Sequence, residues 1–103
     1  MDQHAELHPG EGPLIIGRGD GAGFAVDDPR VSRRHARIEW TSGQCSFTDF
    51  SSNGSWVRFS GSTAPVVLRR DSCALYGEGE IGLGAQLDDF TAPTLAFRVT
   101  DEG

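Results

Sequence analysis

The chain has 103 residues, fifteen Asp and Glu, nine arginines, no lysine and a formal net charge of −6. That length allows one domain around one small core, and no apolar run approaches the ~20 residues of a membrane-spanning helix. The acidic balance argues against a general nucleic-acid binder, which needs a wide basic face.

The first segment, residues 1–12, is polar and has neither the basic nor the apolar region of a secretory signal. His4 and His8 are spaced like metal ligands on a helix, but Pro9 and Gly10 end any helix there. "PLIIG" (13–17) and "FAV" (24–26) follow, separated by the turn "RGDGAG". "HARIEW" alternates, with Ala36, Ile38 and Trp40 on one face and His35, Arg37 and Glu39 on the other. "CSFTDF", "SWVRF", "VVL", "CALYG", "EIGLG" and "LAFRV" complete a series of short runs with turn residues between them. Strands at this spacing, with glycine turns and no helical stripe, predict an all-β antiparallel sandwich with its function in the loops. Cys45 and Cys73 form no CxxC pair and are expected to be reduced, mostly buried thiols of a cytoplasmic protein. A disulfide between them is the alternative.

The charge is unevenly spread. Residues 1–16 carry three acids and no base, and residues 41–103 carry eight acids against four arginines. Residues 17–40 carry five arginines against four acids, and none of those acids lies between Pro29 and Ile38. A small positive focus on a negative body suits a small anion such as one phosphate group.

Three loop motifs stand out: Gly17-Arg18 leaving a strand, Ser32-Arg33-Arg34-His35 entering one, and Ser51-Ser52-Asn53-Gly54-Ser55 between two. Each has an ordinary reading on its own, as a turn with a solvated arginine, a solvated charge pair, or a tight Asn-Gly hairpin. In this order, and with the closing strand Gly79-Glu80-Ile81-Gly82-Leu83-Gly84, they resemble the forkhead-associated (FHA) family over about Leu14 to Val99.

The resemblance implies a sandwich of about eleven short strands, with loops at one end that bind phosphothreonine in an extended peptide. Carried across, Arg18, Ser32 and Arg33 would hold phosphate oxygens and Ser52 would add a hydroxyl. Asn53 would hydrogen-bond the peptide backbone just after the phosphoresidue. Gly17, His35 and Gly54 would shape the site, His35 by bracing loops without touching ligand. The side-chain chemistry agrees: arginine's planar fork matches phosphate oxygens, serine hydroxyls each donate one more bond, and an asparagine amide offers the donor and acceptor that a peptide backbone requires. Two departures stand out, the first a mild one that keeps the hydroxyl and the second in a loop that bears on peptide preference. Ser55 stands where the family has threonine, and Arg58 stands where it often has asparagine before a glycine that here comes late, at Gly61.

The expectation is therefore a non-enzymatic, monomeric binding module for a phosphothreonine-containing protein or peptide, acting in signalling without cofactor, metal, nucleic acid or membrane. Residues 13–100 would form the FHA domain and 101–103 a C-terminal tail, within a larger multidomain protein. The alternative is a phosphate-independent module that docks a partner through a sheet face. A Ser32, His35, Asp49 hydrolytic triad is disfavoured, because residues three apart on an extended segment point to opposite faces. The "GRGDGAG" turn matches no nucleotide-binding fingerprint, and "DGAGFAVDD" lacks the acidic ladder of a calcium loop. Arg18-Gly19-Asp20 spells an adhesion tripeptide and Asn53-Gly54-Ser55 a glycosylation sequon, but both fall inside the phosphopeptide motifs.

Overall fold

A computed structural model describes residues 2–19 and 21–100; Asp20 of the adhesion tripeptide and the 101–103 tail lie outside the described residues. These residues form ten strands and no helix: β1 (Asp2–Leu7), β2 (Leu14–Gly17), β3 (Phe24–Ala25), β4 (Ala36–Thr41), β5 (Gln44–Asp49), β6 (Ser55–Phe59), β7 (Val66–Leu68), β8 (Ser72–Leu75), β9 (Glu78–Leu83) and β10 (Thr94–Val99). They make two five-stranded sheets, ordered β1-β10-β9-β6-β7 and β3-β2-β4-β5-β8.

The alternation legible in the sequence sets the inner faces. Ala36 and Ile38 of β4 are buried opposite Asp49 and Phe47 of β5, while Arg37, Glu39, Ser46 and Thr48 turn outward. The facing sheet contributes Val57, Ile81, Leu83, Leu95 and Phe97, all buried, and one continuous core results. No disulfide crosses it: Cys45 and Cys73 are free thiols on neighbouring strands.

The sandwich departs from the antiparallel expectation at two edges, where β1 runs parallel to β10 and β2 parallel to β3. Parallel neighbours normally need a crossover of a dozen or more residues. The six residues 18–23 suffice here because β3 is only two residues long and three of the six are glycine. At the other edge the two strands lie at opposite ends of the chain, so connection length imposes nothing. The polar N-terminal segment thus adds a strand to the sheet, burying Ala5 and Leu7 while His4 and Glu6 face out.

The registers gather the functional loops. Ile16 pairs with Ala36, Ala36 with Asp49, Thr48 with Ser72, and Ser55 with both Leu68 and Leu83. The segments after β2, before β4, between β5 and β6, between β7 and β8, and after β9 therefore meet at one end of the sandwich.

Candidate functional site

Backbone hydrogen bonds continue past the strand ends and fix the first two motifs against each other. Arg18 N–H donates to the Ser32 carbonyl at 3.0 Å, Gly19 N–H to the Arg33 carbonyl at 3.1 Å, and His35 N–H to the Ile16 carbonyl at 2.9 Å. Gly17 is needed for this approach, since a Cβ there would run into the Arg33 carbonyl. Arg18 Nε donates to the Val31 carbonyl at 2.9 Å, which aims the side chain and leaves its terminal amino groups without partners among the described residues. Arg18, Arg33 and Arg34 line one cleft of about 660 Å3 with Gly19, Gly21 and Ala22.

The third motif is tied in through Ser32 and His35. Ser52 N–H donates to Ser32 Oγ at 3.2 Å, so the Ser32 hydroxyl proton is left for another acceptor. Asn53 Nδ2 donates to the Arg30 carbonyl at 2.9 Å, which leaves its amide oxygen and one N–H unused among the described residues. Arg18, Arg33, Ser52 and Asn53 are all exposed and Ser32 is partly so.

Beneath these residues lies a buried polar knot. His35 is fully buried. Its Nδ1 accepts the Ser32 backbone N–H at 3.1 Å, and its Nε2 lies 3.1 Å from both the Gly54 carbonyl and Ser55 Oγ. An Nδ1 that accepts must be unprotonated, so the ring is neutral with its proton on Nε2. Burial holds its pKa below the ordinary histidine value, outweighing the opposing pull of Asp49 and the Gly54 carbonyl. Asp49 anchors the other side of the knot. Its carboxylate accepts from Ser51 N–H and Ser51 Oγ, from Ser55 Oγ, and from Arg70 N–H at 2.9 Å. Ser51 Oγ in turn takes Gly54 N–H at 2.7 Å, holding the glycine at φ +94°.

This geometry removes the hydrolytic triad. His35 takes the Ser32 backbone N–H and not its hydroxyl, and the serine that does meet His35 and Asp49 is Ser55, which is fully buried. Residues 14–72 match the profile of the FHA domain. The chain belongs to the FHA family. Two similar solved structures each share 39% identity over 72% of this chain. One is the FhaA FHA domain complexed with the intracellular domain of Rv3910, covered over 74% of its length with a TM-score of 0.56. The other comes from a structural and functional analysis of phosphothreonine-dependent FHA domain interactions, covered over 70% with a TM-score of 0.57. The N-terminal FHA domain of Saccharomyces cerevisiae Rad53p, in complex with a phosphothreonine peptide, shares the fold at 20% identity, with a TM-score of 0.59 over 74% of this chain and 59% of that one. No curated protein matches.

All eight residues singled out from the FHA motifs meet at this end of the sandwich. Sequence reasoning missed the buried support, Asp49, Ser51 and Ser55, although Ser51 and Ser55 bound the third motif and Asp49 lies two residues ahead of it. It also missed Arg34 as a lining residue and the pair Arg69-Arg70, which no motif marks. Arg69 Nε and one terminal nitrogen both donate to the Ser52 carbonyl, at 3.0 and 2.7 Å.

Proposed function

We propose that this FHA domain binds a phosphothreonine-containing peptide at the loop end, as a non-catalytic recruitment module. The observation that carries the reading is the convergence of Arg18, Arg33 and the free Ser32 hydroxyl proton, with Ser52 bonded directly to Ser32. In this reading Arg18, Ser32 and Arg33 take the phosphate oxygens, and the Ser52 hydroxyl adds a fourth donor. Asn53 uses its unbonded amide oxygen and N–H on the peptide backbone. Gly17, His35 and Gly54 hold the loops in place. The two relatives at 39% identity support the assignment, one through its partner domain and one through its phosphothreonine dependence.

Charge-assisted bonds contribute roughly 1.5–3 kcal/mol each. Ordering a flexible peptide offsets several of them, which leaves a Kd near the micromolar, about −8 kcal/mol. That strength suits a reversible contact made by a monomeric, cytoplasmic module of a larger protein.

Titration calorimetry with one degenerate peptide library in phosphothreonine, phosphoserine and unmodified forms tests the reading. Binding of the phosphothreonine form alone is expected, and equal binding of all three, or of none, would overturn it. A second reading, docking through a sheet edge without phosphate, draws on Val66 and Val67, which are exposed on edge strand β7. A partner that stays bound after phosphatase treatment would favour that edge.

A further inference from the structure

Asn53 is the only asparagine of the chain, and the residue after it is glycine. That pairing carries a specific covalent liability. The backbone nitrogen of the following residue attacks the side-chain carbonyl carbon of the asparagine and closes a five-membered succinimide. The amide nitrogen leaves as ammonia, taking up through water the proton that the attacking nitrogen gives away. Water then opens the ring to aspartate or isoaspartate, so a carboxylate replaces the amide with nothing oxidised or reduced. A following glycine leaves the attacking nitrogen without a neighbouring side chain to shield it. Gln3, Gln44 and Gln86 would each have to close a six-membered ring, which forms more slowly.

The fold ties down both reacting groups. The nucleophile is Gly54 N, whose proton is committed to Ser51 Oγ at 2.7 Å, and both residues are buried. The glycine is fixed on its other side as well: its carbonyl accepts from the Gly84 N–H at 2.9 Å and lies 3.1 Å from His35 Nε2. The electrophile is the Asn53 amide, whose Nδ2 donates to the Arg30 carbonyl at 2.9 Å, on the loop before β4. Ring closure has to release the Gly54 N–H from Ser51 and free the departing nitrogen from Arg30. Asn53 itself is exposed, so water already reaches the amide. The barrier added by the fold lies in opening the loop and not in access to it.

We infer that Asn53 is a built-in ageing site: it deamidates at a rate set by opening of the 51–54 loop, and the resulting carboxylate switches the phosphopeptide site off. The switching-off rests on the phosphothreonine reading, whereas the chemistry at Asn53 does not. Aspartate at this position lacks the amide N–H assigned to the peptide backbone and adds negative charge beside a phosphate. Isoaspartate also lengthens the main chain by one carbon, which disturbs the spacing that brings Gly54 to Ser51 and His35. A bound phosphopeptide engages the Asn53 amide and favours the closed loop, so an idle domain ages faster than an occupied one.

The test incubates the intact chain at pH 7.5 and 37 °C and follows the peptide spanning Asn53 by mass spectrometry, which reads the mass gain of amide-to-acid conversion. Conversion should run about tenfold or more slower in the native chain than in urea, because the reaction waits for local opening. Equal rates in the two, or no conversion of Asn53 in either, would overturn the inference, and that comparison needs no variant to fold. Ser51→Ala deprives the Gly54 N–H of its acceptor and should raise the native rate roughly fivefold. An unchanged rate in the folded variant would overturn the part given to Ser51. Asn53→Asp reproduces one product directly and should bind a phosphothreonine peptide about tenfold or more weakly than wild type. Wild-type affinity in that variant would overturn the switch. Failure of the fresh, unconverted chain to bind any phosphothreonine peptide would overturn the phosphothreonine reading instead and leave the mass-spectrometric result standing.

Discussion

The Ser32 backbone N–H donates to His35 Nδ1 at 3.1 Å, so a residue proposed to touch phosphate is positioned by a ring that no ligand can reach. The same ring meets Gly54 and Ser55 through Nε2, joining the loop before β4 to the loop after β5. Binding geometry and core stability are therefore coupled through one neutral imidazole.

That coupling gives a pH dependence with a definite sign. Burial depresses the His35 pKa in the folded state below the ~6.5 of an unfolded chain. The stability associated with the neutral ring is fully present above ~6.5. It is lost as pH falls, because the unfolded chain takes up a proton that the native state resists. Urea midpoints should drop between pH 7.5 and 5.5. In His35→Gln the drop should shrink, with overall stability lower by about 2–3 kcal/mol from the unsatisfied Ser32 and Gly54 groups.

Arg18→Ala separates binding from folding. The side chain makes one described hydrogen bond, to the Val31 carbonyl, whose loss costs about 1 kcal/mol of stability. Its proposed charge-assisted contacts should cost roughly 10- to 100-fold in affinity for a phosphothreonine peptide. Calorimetry and urea unfolding on the same sample check both, and unchanged affinity would sink the role assigned to Arg18.

Gly17→Ala should damage both properties together. The new methyl would strike the Arg33 carbonyl, which also receives the Gly19 N–H. Relief requires the first two motifs to move apart, at about 1–3 kcal/mol. A variant with wild-type stability and affinity would show that the approach of these loops is looser than described.

Cys45 should be inert in the native protein. Burial alone pushes its thiol up to about 11, so the thiolate is scarce at pH 8. Burial first and the nearby Asp71 charge second also raise Cys73, which is only partly buried. Ellman titration should detect Cys73 slowly and Cys45 only after denaturant is added.

What the sequence shows of this molecule follows from where each signal resides. Period-two burial makes β4, β5 and β6 legible, and the glycine, arginine and serine of the loop motifs mark the cleft because few residues can satisfy those backbone and anion demands. The strand β1 is harder to see, since only Ala5 and Leu7 alternate with polar residues in a segment rich in His and Glu. The two parallel pairings leave no mark, because alternation records which face is buried and not which neighbour is bonded. Arg69 and Arg70 read as ordinary turn residues. Their meaning depends on Ser52 and Asp49, about twenty positions earlier, being brought alongside by the β6–β7 and β5–β8 ladders.

The parallel edge also fixes the direction in which the molecule can be held. Asp2 pairs with Thr94 and Leu7 with Val99, so β1 starts beside the loop end while β10 leaves toward the far end. An affinity handle or fluorophore fused ahead of Asp2 would crowd the arginine loops. Tethering through the Thr100 side would present them outward, and that is the orientation to choose when the domain is immobilised as a capture reagent.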